Sequence, residues 1–259
     1  MTIALLTDFG TRDTYVGVMK GVIATIAPGT TVVDLTHEVE PQNVRQAAFH
    51  LLTSYRYFPA GIVFCVVVDP EVGTKRHPLA ARSKDHVFVC PDNGLLTPFI
   101  TKGLIEEVVV LDNPSYHLPQ PSQTFHGRDI FAPAAAHLSL VRELVMVGSP
   151  TQTSELNQLE WPMPKPTRGG WEGEVSYIDH FGNLITNLES QLLGSTEGWV
   201  VQVGNVDLPV DLTFADVDPS QLVSYVGSSG LLEVAVRNSN AHLKLGIGVG
   251  EKVRVVRPS

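Results

Sequence analysis

The stretch FCVVVDPEVGTKRHP, residues 64–78, runs from five apolar residues straight into an acid. Phe64 to Val68 have the length and β-branched content of a strand covered on both faces, and Asp69 sits where such a strand ends. Pro70, a glycine turn at Gly73 and the basic cluster Lys75-Arg76-His77 follow, so an arginine stands seven residues beyond the carboxylate on the returning turn.

Outward from this strand, the first half of the chain alternates two periodicities. IALLTD is a short apolar strand, Tyr15 to Ile26 has helical apolar spacing closed by Pro28-Gly29, TVVDLT is a second strand, and Val44 to Tyr57 reads as a helix. GIVFCVVVD is the third strand and HVFVCPDNG a further one after a turn. Alternation of this kind predicts an α/β domain over residues 1–150, with a mostly parallel sheet whose ligands bind beyond the carboxyl ends of the strands. Asp8, Asp34, Asp69 and Asp92 are all expected at such ends.

Residues 149–170, SPTQTSELNQLEWPMPKPTRGG, contain four prolines and few aliphatics, which predicts a linker over 151–169. From residue 170 to 259 the pattern becomes short strands separated by glycine and asparagine turns. That predicts a small antiparallel β-barrel.

Composition narrows the function classes. Hydrophobic residues make up 43% of the 259 and charged ones 17%, which describes a globular protein with a real core. A formal net charge of −9 argues against a nucleic-acid surface and for a small-molecule partner. Cys65 and Cys90 fall inside apolar strands and read as reduced core residues. The N-terminus carries no basic region before its apolar run, and no run approaches the ~18 apolar residues of a membrane helix, so no membrane association and a cytoplasmic location are expected.

Several segments carry polar residues that invite chemistry, and each also has a plain structural explanation. In TDFGTRD, Asp8 is either a cap for the turn and the next helix or a carboxylate for a ligand's hydroxyl pair. The DFG tripeptide has no glycine-rich loop or HRD partner, which excludes a protein kinase. Asp92-Asn93-Gly94 is turn chemistry by default. FHGRDIFAP places His126, Arg128 and Asp129 between an aromatic residue and a helix start, and no capping scheme demands a histidine there. In YIDHFGNLITN, Asp179 and Asn183 suit a hairpin around Gly182, while Phe181 beside polar groups also suits a purine.

Taken together and in order, TDFGT (7–11), VVDPEVGTKR (67–76), CPDNGLL (90–96), FHGRDIFAP (125–133), IDHFGN (178–183) and GSSGLLEVAVRN (227–238) resemble the S-adenosylmethionine hydroxide adenosyltransferase family, relatives of fluorinating and chlorinating enzymes. The resemblance runs from about Ile3 to Val255. It implies an α/β domain followed by a β-barrel, and an enzyme that displaces methionine from ribose C5′ of S-adenosylmethionine (SAM), with water or hydroxide giving adenosine. It also implies SAM as substrate with no cofactor and no metal, and a homotrimer with each site between one subunit's N-domain and a neighbour's C-domain.

The same resemblance implies roles for particular residues. Asp69, Arg76 and His126 match the set that serves the nucleophile, Asp8 the ribose carboxylate, and Asp179 a partner for the methionine ammonium. Phe181 and Asn183 match the lining of the nucleoside pocket. Ser228 and Ser229 match contacts to the methionine carboxylate, and Val236, Arg237 and Asn238 the adenine edge, largely through backbone. Halogenating relatives carry tyrosine where this chain has Asp69, the fluorinating ones serine at the position of Gly127, and both a long insertion that RHPLAARSKDHVFV lacks. A carboxylate also repels a halide, so water is the expected nucleophile. Three other readings remain: a SAM-dependent halogenase, a non-catalytic SAM or adenosine sensor, and a metal-dependent phosphoesterase built on Asp8, His37, Asp69, Asn93 and His126.

Overall fold

The structure is a computed structural model that describes residues 1–258. The chain divides into two compact units, Met1–Glu160 and a second beginning at Trp161.

The first unit begins with strand β1 (Thr2–Thr7), helix α1 (Tyr15–Ile26), β2 (Thr31–Thr36), α2 (Val44–Ser54) and β3 (Val63–Val67). There follow β4 (Pro78–Arg82), β5 (Val87–Pro91), α3 (Thr97–Thr101), β6 (Glu107–Val110), α4 (Ala132–Val141), α5 (Leu144–Val147) and β7 (Ser149–Thr151). The sheet order is β2-β1-β3-β5-β4-β6-β7, with β2, β1, β3 and β5 pairing in parallel. The apolar strands explain the layers. Ile3, Leu5, Cys65 and Val67 face a core shared with α1 and α4, while Ala4, Leu6, Phe64 and Val66 face the one under α2 and α3.

In this unit two expectations need correction. The strict alternation of strand and helix breaks after β3, where the chain returns as β4, antiparallel to β5 and β6, rather than as a helix. Residues 69–77 carry Pro70 and a Gly73 at φ 79°, and are too few to make a crossover helix and return. Asp34 lies inside β2 opposite Leu5, not past the strand's end, and is bound by Lys20 Nζ at 2.6 Å.

Strand order reverses at β1, whose neighbours are β2 on one side and β3 on the other. Chain ends diverge at such a switch point, and a crevice opens there. A second gap lies beside it. The β3–β5 ladder stops at Cys65 opposite Val89, two residues short of the end of each strand.

The segment expected as linker is ordered against the first unit for part of its length. The Asn157 N–H donates to Asp92 Oδ1 at 2.9 Å, and Leu159 N–H to Thr97 Oγ1 at 2.9 Å. In the second unit, β8 (Lys165–Thr167), β9 (Gly170–Ile178), β10 (Leu184–Glu189), β11 (Val200–Val203) and β12 (Val206–Asp211) are followed by β13 (Leu222–Val226), β14 (Leu231–Val236), α6 (Ala241–Leu245) and β15 (Lys252–Val256). Pairing of β10 with both β14 and β9 closes seven strands into a barrel, with β8 added outside β9. One pair departs from the antiparallel expectation: β12 and β13 run parallel.

Phe88 tests the packing. Fully buried, it stacks on Phe64 at 5.7 Å and meets Phe99 at 4.7 Å between ring centres. Phe88→Ala is expected to lower unfolding free energy by about 3–5 kcal/mol in chemical denaturation; a loss below about 1 kcal/mol would contradict this core.

Candidate active site

Asp69 emerges two residues past β3, and the turn held by Gly73 carries Arg76 back over it. Arg76 Nε donates to Asp69 Oδ1 at 2.9 Å, and the guanidinium makes a second, closer contact with Oδ2. Both side chains are almost fully buried, so the pair is held in a fork geometry with little water to compete. Gly73 permits the turn: its φ is 79°, and a Cβ there would stand 2.5 Å from the Gln123 carbonyl oxygen.

His126 reaches the same group from another part of the chain. It caps a π-helical turn, Gly127–Phe131, that leads into α4. Its Nδ1 lies 2.8 Å from the Arg76 guanidinium. Arginine has no acceptor to offer, so Nδ1 must be the unprotonated nitrogen and the ring's proton sits on Nε2. The environment favours that neutral form, since burial first and the Arg76 charge next lower the pKa of His126. Below the guanidinium, the Phe131 ring lies 5.2 Å away and completes the seat.

These groups open onto a cleft of about 160 Å³ lined by Phe9, Tyr15, Val67, Asp69, Phe125 and His126, among others. It lies where β1 and β3 diverge. Its aromatic wall is one cluster: Phe9, Tyr15 and Phe125 meet pairwise at 5.2–5.7 Å between ring centres. None of these aromatics was singled out from the sequence, although Phe9 and Phe125 each adjoin a residue that was. A Cβ at Gly127 would meet Phe125, Met19 and Phe9 at 3.1, 3.3 and 3.4 Å, so the wall is built for glycine.

Other expected residues are placed as follows. Asp8 is half-buried just past β1, and its Oδ2 accepts the Gln42 N–H at 2.8 Å. In the second unit, Asp179 Oδ1 accepts the main-chain N–H groups of Phe181 and Asn183 at 2.9 and 2.8 Å, and Asn183 Nδ2 donates to Asp179 Oδ2 at 2.8 Å. The hairpin reading of Asp179 and Asn183 is therefore correct as far as it goes. Phe181 at the tip is 71% exposed, a large apolar surface that hairpin chemistry does not explain.

Register places that turn beside the C-terminal end of β14, because Leu184 pairs with both Ile178 and Val234. Val236 ends β14 with its side chain in the barrel core, and Asn238 has a φ of 58°. Arg237 is engaged within the barrel, donating to the Val217 carbonyl at 2.6 Å, while its peptide bonds to Gln221 and Ser220. Ser228 and Ser229 lie at the opposite end of β14, in its turn with β13.

Of the residues considered for a metal site, Asp69 and His126 meet through Arg76, but the set as a whole does not converge. His37 bonds to Thr7 Oγ1 at 2.9 Å, Asn93 to the Val68 carbonyl and Asp69 to Arg76. Among the described residues no three His, Cys, Asp or Glu side chains are grouped to hold a metal ion. Both thiols are fully buried, and burial pushes the Cys65 thiol up to about 12, so neither is poised as a nucleophile. Among the described residues no helix is long and apolar enough to cross a membrane.

Models of the SAM hydroxide adenosyltransferase N-terminal and C-terminal domains match residues 3–148 and 173–254. The chain belongs to the SAM hydroxide adenosyltransferase family. Within it, the chain is 41% identical to an (R)-S-adenosyl-L-methionine hydrolase of Thermus thermophilus over 97% of its own length and 98% of the relative's. It is 30% identical to a fluorinase of Actinopolyspora mzabensis over 98% and 97% of the two chains. Among solved structures, an uncharacterised conserved protein from Thermotoga maritima superposes with a TM-score of 0.92 at 38% identity, covering 98% of this chain and all of that one.

The neutral state of His126 can be tested directly. By NMR the His126 ring is expected to titrate below the 6.5 of an ordinary imidazole, and Arg76→Ala is expected to raise that midpoint by removing both the charge and part of the burial. A midpoint above 6.5 in the unmodified protein would contradict the assignment.

Proposed function

We propose that the protein hydrolyses S-adenosyl-L-methionine to adenosine and L-methionine through attack of a single held water on ribose C5′. The observation that carries this reading is the Arg76 guanidinium, which binds Asp69 and His126 at once at the edge of an aromatic cleft. Support also comes from the hydrolase relatives, which are named for the (R) epimer of the sulfonium, so both epimers belong in the assay.

The chemistry asks little of the leaving group. The C5′–S bond breaks with its electron pair passing to sulfur, and a cationic sulfonium becomes a neutral thioether without acid assistance. The demand falls on the nucleophile, which must be aligned with that bond and must lose a proton as its oxygen bonds to C5′. His126 has its Nδ1 lone pair occupied by Arg76, so it acts through Nε2–H, donating to the water oxygen and fixing its position. Asp69 is then the group that accepts the water's proton. Arg76 fixes both partners and offsets the carboxylate's charge. A halide has no proton to give and gains nothing from such an acceptor, which favours water over the fluorinase reaction.

For the substrate, Asp8 has Oδ1 available for the ribose hydroxyl pair, Asp179 is assigned to the ammonium, and Phe181 and Asn183 to the purine side. Ser228 and Ser229 are assigned to the methionine carboxylate. Val236, Arg237 and Asn238 flank the adenine edge, with Asn238 offering the freest peptide. No cofactor or metal enters this scheme. We further propose a cytoplasmic homotrimer in which the N-terminal unit of one copy faces the C-terminal unit of a neighbour.

Asp69→Asn is the informative variant, since removing the side chain outright would strand the buried guanidinium. It is expected to lower turnover at least ~10²-fold while adenosine affinity stays within about tenfold; unchanged turnover would remove Asp69 from the mechanism. Asp8→Ala is expected to weaken SAM and adenosine alike by roughly tenfold or more, and intact affinity for both would clear Asp8 of ribose binding. For the shared site, mixing Asp69→Asn with Asp179→Ala chains is expected to restore activity that neither has alone; no recovery after subunit exchange would argue for a site within one chain.

A further inference from the structure

Asp69 hangs from a strand end that has lost one neighbour. On one side β3 stays bound to β1, with Val67 opposite Thr7, while its ladder with β5 has already ended at Cys65. β5 meanwhile stays with β4, Pro91 opposite Pro78. The gap between β3 and β5 therefore opens before the chain reaches Asp69, and the peptide before that residue has no strand partner in the β5 ladder.

One side chain spans the gap. Asn93, in the turn after β5, is only 8% exposed, and its Nδ2 donates to the Val68 carbonyl at 2.8 Å. A carbonyl can only accept, so the amide nitrogen must face it. The other end of the amide, Oδ1, is buried with no hydrogen-bond partner among the described residues. An apolar side chain of the same shape would avoid that orphaned acceptor, so the carboxamide is a cost to stability that the turn itself does not require. Gly94, at φ 89°, already provides the left-handed residue of the turn.

We infer that Asn93 is a positioning residue for hydrolysis: it replaces the missing ladder bond at Val68 and thereby fixes the direction in which Asp69 meets Arg76 and the water. This rests on the role proposed above for Asp69. Asn93 touches neither water nor substrate in this scheme, so its loss acts on the rate of the chemical step and not on nucleoside binding.

Two variants separate this from a general effect on packing. Asn93→Leu keeps the branched shape and removes the donor; it is expected to lower kcat about tenfold or more with adenosine affinity within about twofold. Asn93→Asp can donate to the Val68 carbonyl only while protonated, and burial raises its pKa. Its kcat relative to the unmodified enzyme is expected to rise about tenfold between pH 8.5 and pH 6, whereas the leucine variant's ratio stays flat. Asp92, His77, Glu71, Arg76 and Asp69 are charged groups around this turn. They are common to all three proteins, so their own titration largely cancels in the ratio.

A readout without turnover separates this inference from the hydrolase reading. The ¹³C signal of the Asp69 carboxyl, assigned with Asp69→Asn, is expected to shift in both Asn93 variants at pH 8.5. An inactive unmodified protein with a shifted signal would defeat the hydrolase reading and keep the positioning. An unmoved Asp69 signal, an unchanged kcat in the leucine variant, or equal losses of kcat and adenosine affinity would each overturn the positioning role.

Discussion

Arg76 is the point on which the arrangement in the first unit depends, because it draws together residues that the chain delivers from separate places. Asp69 comes from the end of β3, His126 from the π-helical turn before α4 and Phe131 from the far side of that same turn. A guanidinium can satisfy all three at once: two donors in a fork for the carboxylate, one for an imidazole nitrogen and a flat face for the ring. The assembly leaves a carboxylate and a neutral imidazole with fixed, opposite hydrogen-bonding duties. Isolated burial of Asp69 would be costly, and so would burial of Arg76, which makes the turn at Gly73 as necessary as the charged groups it returns.

The sheet explains why the assembly stands where it does. Parallel strands end together, and at a reversal of strand order their continuations part and leave a crevice. Here the crevice falls between β1 and β3, and the aromatic cluster of Phe9, Tyr15 and Phe125 forms its wall. The second unit contributes a different kind of surface. Its barrel is closed and its core complete, yet Phe181 is displayed at the tip of a turn whose polar groups are already bonded to one another. Those bonds hold the turn's main chain in place without any ligand.

Much of this was legible in the sequence, and the exceptions have physical causes. β1, β3, α1 and the barrel followed from periodicity because apolar residues at strand or helix spacing have one stable arrangement in water. β4 escaped because PLAAR is short, lacks β-branched residues and follows a turn, so that only its pairing with β5 and β6 makes it a strand. The parallel β12–β13 pair is likewise set by barrel closure and not by local composition. Asp69 and His126 were visible as polar residues that local structure did not demand. For Asn93 the sequence offers turn chemistry or a place in a metal site; its bond to the Val68 carbonyl is hidden, because it depends on a gap between strands that no spacing reveals.

In the proposed mechanism a water held by Asp69 and His126 becomes the 5′-oxygen of adenosine. Incubating the protein with both sulfonium epimers of SAM in ¹⁸O-labelled water, with excess chloride and fluoride and no added metal, tests it by mass spectrometry of the products. The expected products are adenosine labelled at C5′ and unlabelled methionine. A halogenated nucleoside, unlabelled adenosine, or SAM recovered intact while adenosine binds tightly would each contradict it.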